Sequence, residues 1–401
     1  MQKPHNIPIH EYAYDLPDER IAKYPLQRRD QSKLLVYKNG EIADRTFSDV
    51  PELLGLDDHL FFNVTRVVQA RMIFYKESGA KIEIFILNPL KPGDYQLAFS
   101  SGSPVEFLCM VGNAKKWKHG SIVLNASGIT IQAEQLDRID DKYRIRFEWT
   151  GEYSFAEILE IVGSTPIPPY LNRKAEQQDA KTYQTIYARQ NGSVAAPTAG
   201  LHFSEEVLAK VRARSIKLSE LTLHVGAGTF IPVKTDNAAA HQMHAEHVTV
   251  HRSLLESITT KDTNIAVGTT STRSLESLYW LGVKAKKDSR FLHENIFLDQ
   301  WEPYELEDDL SLEDSLQSLL SRMHDQKLES FSFQTRIMIS PGYKFRVIDG
   351  LFTNFHQPGS TLLLLIAAAC GDDWKKIYSY AMDHEYRFLS YGDSSLLYIR
   401  K

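Results

Sequence analysis

From about residue 67 to 150 the chain is written in short runs, "ARMIFYK", "AKIEIFIL", "YQLAFS", "SIVLNA", "GITIQA" and "YRIRFEW", separated by Gly, Asn, Asp and Pro. Alternation of apolar and polar residues puts every second side chain on one face of an extended strand, and turn residues every 8 to 15 residues or roughly so leave no length for helices. This stretch predicts a small antiparallel sheet or barrel. Its flanks read differently. "SEEVLAKVRARSI" at 204–216 predicts a helix capped by Ser204, followed by the strand "ELTLHV". "TNIAVG" predicts a buried strand leading into the helix "TTSTRSLESLYWLG", with Gly282 as its terminator. Ser360 predicts the cap of an apolar helix that stops at Gly371, and the acidic run "ELEDDLSLED" at 305–314 predicts the exposed, acid-rich start of another.

A chain of 401 residues exceeds what one core usually supports. The expected fold is therefore α/β: a large mixed α/β domain, discontinuous over 1–66 and 151–401, with an inserted small all-β barrel domain at 67–150. A formal net charge of -5 means that a polyanion would have to meet a local basic patch. Cys109 and Cys370 sit in apolar surroundings, with no disulfide or zinc spacing. The N-terminus has no apolar signal core, and "LLLLIAAAC" at 362–370 is too short to span a bilayer, so a cytoplasmic protein without a membrane partner is expected.

Several loops carry chemistry-bearing residues. "GSVAAPTAGLHF" at 192–203 combines Ser193, Pro197, Thr198, Gly200 and His202 just ahead of a helix start, where exposed amides favour an electron-rich ligand. A tight structural crossover is the competing reading. "LTLHVGAGTFIPV" at 221–233 runs a strand bearing His224 into Gly226, Gly228 and Thr229; Ile231 stands where a dinucleotide fingerprint needs its third glycine, so that reading is rejected. "HQMHAEHVTVH" crowds His241, His244, Glu246 and His247, which suits proton transfer, a pair of metal ligands or a plain polar loop. "VGTTSTR" places Thr269, Thr270 and Arg273 at a strand-to-helix edge, where α/β sheets bind ligands. "DGLFTNFHQPGSTLLLL" repeats that layout with Asn354 and His356. In the β module, "NAKKWKHG" offers Lys115, Lys116 and Lys118 to phosphate and Trp117 to a base, or is a solvated hairpin.

With these stretches, and with "YDLPDERIAKYPLQRRDQSKLLV", "PIPPYLNR", "YQTIYA", "SPGYKF" and "YRFLSYGDSSLL", the chain resembles the S-adenosylmethionine:tRNA ribosyltransferase-isomerases of queuosine biosynthesis in the order and spacing of its blocks. The resemblance implies an α/β domain with an inserted β-barrel. It also implies transfer and isomerisation of the ribosyl moiety of S-adenosylmethionine onto 7-aminomethyl-7-deazaguanine at the tRNA wobble position. Epoxyqueuosine would form as adenine and methionine leave, with no metal; separately, no obligate protein partner is expected. Such chemistry needs a base, a donor at adenine and donors for developing oxyanions. His202, His224, His241, His244 and Glu246 are the pool for proton transfer. Ser193, Pro197, Thr198, Gly200, Gly226, Gly228, Thr229, Thr269, Thr270, Arg273, Asn354 and His356 are expected at the cofactor and sugar. The family pattern Asn-Asp-Thr-Arg-Val-Ile-Pro-Ala-Arg is "NVTRVVQAR" here, with Val64 for an acid and Gln69 for a proline, and 283–335 drifts. Two other readings follow from that departure: a paralogue acting on another nucleobase or RNA, and a non-catalytic tRNA-binding protein.

Overall fold

The computed structural model describes residue 4 and residues 6–226, 235–293, 295–307 and 309–400. The chain opens with β1 (Lys33–Lys38), β2 (Glu41–Thr46), β3 (Asp58–Asn63) and the short β4 (Thr65–Val67). It then leaves for six antiparallel strands, β5 (Arg71–Tyr75), β6 (Lys81–Lys91), β7 (Val105–Gly112), β8 (Ser121–Ala126), β9 (Ile129–Ile139) and β10 (Lys142–Trp149). After the insert come β11 (Gln190–Ser193), β12 (Lys217–His224), β13 (Glu246–His251), β14 (Thr263–Val267), β15 (Ile296–Leu298), β16 (Ser330–Thr335), β17 (Gly350–Asn354) and β18 (Ser394–Tyr398).

Among the described residues ten strands form one mixed sheet in the order β15-β16-β13-β12-β3-β14-β17-β18-β1-β2. At its centre β12, β3, β14 and β17 run parallel. Parallel strands are covered on both faces, and their side chains alternate between two cores. Phe61, Ala266 and Leu351 pack with the helix Thr269–Lys287, whereas Leu60, Phe62, Ile265, Val267 and Phe352 pack with the helix Glu205–Ala213. The large unit is thus mixed α/β, as expected. The insert has the order β5-β6-β7-β10-β9-β8, with β5 and β8 lying against each other to make a nearly closed barrel. Phe155, Ile158 and Leu159 of the helix Phe155–Val162 join its core. No helix among the described residues is long and apolar enough to cross a membrane.

Two local expectations are corrected. "YQLAFS" is a helix, Tyr95–Ser100, because Asp94 accepts the Leu97 N–H at 2.9 Å and caps it, which outweighs its alternating pattern. Gly282 does not end its helix, which continues to Lys287. A Cβ there would lie 2.1 Å from Ser315 Oγ, so this glycine admits the neighbouring helix Leu312–Asp325. That helix is capped by Ser311 with Glu313 and Asp314 in its first turn, and it buries Leu316, Leu319 and Met323.

Candidate active site

The four central strands end at one edge of the sheet. Asn63 ends β3, Asn354 ends β17, Val267 leads through Gly268 into a helix, and β12 leads to Val225 and Gly226. β13 runs antiparallel to β12, so its first residue, Glu246, lies at the same edge. In parallel α/β sheets ligands bind outside the carboxyl ends of the strands, because backbone amides and helix starts converge there. Here a cavity of about 140 Å³ opens at that place. A single water needs about 10–15 Å³ on the same measure, so the space suits a polyatomic ligand.

Most of the expected residues meet in this cavity. Pro197 and Thr198 come from the stretch after β11, Gly226 follows β12, and His241 and His244 come from the loop before Glu246. Thr269, Thr270 and Arg273 come from the start of the Thr269–Lys287 helix, and Asn354 and His356 follow β17. Gly268, with φ +99°, is the N-cap and has no side chain to bond the first helical amides, so they are left to the cavity. Gln300 holds the histidine loop over it: its Nε2 donates to the His241 carbonyl at 2.6 Å and its Oε1 accepts the Met243 N–H at 2.9 Å. His244 is exposed at the rim and His241 is half-buried.

Charge is concentrated in one buried pair. Glu246 and Arg273 are 5% and 6% exposed and meet through Oε1 and Nη1 at 3.0 Å. Arg273 Nε donates to the Ile337 carbonyl at 3.0 Å, which fixes the guanidinium. Glu246 Oε2 and Arg273 Nη2 are both buried without a hydrogen-bond partner among the described residues. Buried polar atoms are nearly always paired, so an acceptor and a donor left open in one cavity are positions for a water or a ligand. Burial pushes the Glu246 carboxyl up to about 7 against the opposing pull of Arg273. It is therefore poised between acid and base near neutrality.

Other expected residues lie elsewhere. His202 is not in the cavity wall: it stands behind Asn354, with Nε2 3.0 Å from Asn354 Nδ2 and Nδ1 2.8 Å from Ser32 Oγ. Burial, with Arg387 and Arg29 nearby, lowers its pKa to about 3, so the ring is neutral. His224 faces away from the cavity and stacks on Tyr95 of the insert, with ring centroids 4.0 Å apart at 10°. Burial brings it down to about 4. Neither ring lines the cavity. Ser193 is wholly buried and joins strands, its Oγ 2.6 Å from Thr65 Oγ1 and accepting the Val225 N–H at 3.1 Å. Gly200 is outside the cavity wall; a Cβ there would lie 1.9 Å from Tyr187 Oη, so the glycine answers packing. Gly228 and Thr229 fall outside the described residues. His356 Nε2 lies 2.8 Å from Thr353 Oγ1, and burial lowers its pKa to about 3.

In the insert, Lys115, Lys116 and Lys118 are exposed. Trp117 is not: its ring is in the barrel core and its Nε1 donates to the Gly120 carbonyl at 3.0 Å, which corrects its expected role as a stacking platform. Val64 is buried and is not among the described residues that line the cavity. Tyr170, Tyr183 and Ser390 add hydroxyls to the cavity wall that residue patterns did not single out, and Tyr170 and Ser390 bond each other. Their only signal was membership of the blocks "PIPPYLNR", "YQTIYA" and "YRFLSYGDSSLL". Among the described residues no group of three or more His, Cys, Asp and Glu is placed to hold a metal ion.

Among solved structures, the chain is similar to an S-adenosylmethionine tRNA ribosyltransferase from Thermotoga maritima, at 25% sequence identity and a TM-score of 0.46, covering 96% of this chain and 99% of that one. The family described as queuosine biosynthesis protein matches residues 9–397, nearly the whole sequence. The protein belongs to the queuosine biosynthesis family.

Proposed function

We propose that this protein is an S-adenosylmethionine-dependent tRNA ribosyltransferase-isomerase. It moves the ribosyl moiety of S-adenosylmethionine onto 7-aminomethyl-7-deazaguanine at the tRNA wobble position, giving epoxyqueuosine and releasing adenine and methionine. A tRNA substrate puts the work in the cytoplasm. The observation that carries this reading is the buried Glu246–Arg273 pair with Oε2 and Nη2 open at the carboxyl edge of the sheet. The family supplies the reaction class.

The donor set fits an S-adenosylmethionine molecule. Arg273 Nη2 is a donor for its carboxylate or for a developing oxyanion, Asn354 Oδ1 is an open acceptor for a neutral N–H or O–H, and Thr269 and Thr270 bring hydroxyls beside free helix amides. Glu246 Oε2 takes the role of proton acceptor for the acidic C–H next to the sulfonium, since a base works best when its pKa is near the working pH. His241, on the loop pinned by Gln300 and lining the cavity, is assigned as the donor to leaving adenine. The exposed Lys115, Lys116 and Lys118 are assigned to tRNA phosphates.

The test is incubation with S-adenosylmethionine and tRNA carrying 7-aminomethyl-7-deazaguanine. Adenine release and a mass gain on that base are expected. No adenine at high enzyme concentration refutes the assignment.

A further inference from the structure

We propose that Ser32 and His202 form a positioning pair that holds Asn354 with Oδ1 facing the cavity, as acceptor for an N–H or O–H of the ribosyl donor. The identity of the ligand rests on the reading above; the orientation of Asn354 does not.

The hydrogen bonds settle which end of the amide points where. Ser32 Oγ is 2.8 Å from Nδ1, on the far side of the ring from the nitrogen that meets Asn354. An amide NH2 only donates, and Asn354 Nδ2 is the atom that faces Nε2, so Nε2 keeps its lone pair and Nδ1 carries the proton toward Ser32 Oγ. Asn354 meets Nε2 at 3.0 Å and must donate to it from Nδ2. Its Oδ1 is then turned away, and that oxygen is buried without a partner among the described residues while Asn354 lines the cavity. The ring is fixed in turn by stacking on Phe47 at 5.2 Å between centroids. Burial keeps it neutral, so the acceptor at Nε2 persists at physiological pH. His202 thus acts through Asn354 and touches no substrate.

Two measurements test the pair. In nitrogen NMR of the ligand-free wild type, His202 is expected as the neutral Nδ1–H tautomer from about pH 5 to about pH 8. The Nε2–H tautomer would mean that Asn354 presents its NH2 group to the cavity, and would overturn the proposal. In the adenine-release assay His202→Leu, which removes the acceptor, is expected to raise KM for S-adenosylmethionine about tenfold and to leave kcat within about threefold. His202→Gln, which returns an acceptor near the Nε2 position, is expected to recover most of the affinity. Equal losses in both variants would assign His202 to packing alone and sink the relay. Should His202→Leu not fold, Ser32→Ala replaces it, with a rise in KM of about threefold expected and an unchanged KM counting against the pair. A wild type that releases no adenine refutes the proposed function, while the tautomer still decides the orientation.

Discussion

Replacing Glu246 with glutamine acts on stability and on chemistry in opposite directions, and both follow from its place beside Arg273. The folded carboxyl titrates at about 7 against 4.5 for the free side chain, so the native state holds this proton more tightly than the unfolded chain does. Wild-type stability from this group is therefore full below pH 4.5, declines as the pH rises, and is lost above about 7. The total comes to about 3 kcal/mol. Glutamine has nearly the shape of the protonated acid and the same Arg273 neighbour, but no charge to bury. The melting temperature of Glu246→Gln should match wild type near pH 4.5 and exceed it by about 3 °C at pH 8 for a chain of this size. Adenine release should meanwhile fall at least about a hundredfold, the low end for losing a positioned base. Wild-type kcat/KM should rise with pH through about 7, as the base loses its proton. The assays are scanning calorimetry across pH and initial rates of adenine release. A melting difference that does not change with pH refutes the buried-carboxylate argument, and activity within about tenfold of wild type refutes Glu246 as base.

Three further perturbations test other parts of the structure. Gly200→Ala puts a Cβ 1.9 Å from Tyr187 Oη and should cost about 1–3 kcal/mol in urea unfolding, with KM for S-adenosylmethionine unchanged because the residue is outside the cavity wall. Glu276 is buried in the Thr269–Lys287 helix and accepts the Tyr343 hydroxyl and the N–H groups of Arg346, Val347 and Ile348. Glu276→Leu strands those donors and should destabilise the fold by about 3 kcal/mol or more, seen as a lower denaturation midpoint. Changing Lys115, Lys116 and Lys118 together to alanine should weaken tRNA binding and flatten the log–log salt slope by about two; an unchanged slope removes them from the interface.

The β insert was readable because strand alternation and turn residues are local: each run from "ARMIFYK" to "YRIRFEW" carries its own period, except "YQLAFS", where one Asp94 side chain decided for helix. Helix starts at Ser204 and Ser360 were legible for the same reason, since a cap bonds an amide three residues on. The end at Gly282 was misread because what that glycine serves is Ser315, on another helix.

The sequence by itself determined the class of fold, the interruption by a barrel, the loops at the sheet edge and, through the order of its blocks, the family. The tertiary structure decided which loop residues share a cavity. The residue patterns left His202 and Glu246 in one pool for proton transfer and Asn354 and Arg273 in one set for cofactor and sugar. The parallel register of β12, β3, β14 and β17, with β13 antiparallel beside β12, brought Glu246 to Arg273, and the turn after β11 put His202 behind Asn354. Burial then separated their roles, leaving His202 a neutral ring and Glu246 a carboxyl near neutrality. Desolvation depends on what surrounds a group in space, and that information is spread over residues hundreds of positions apart.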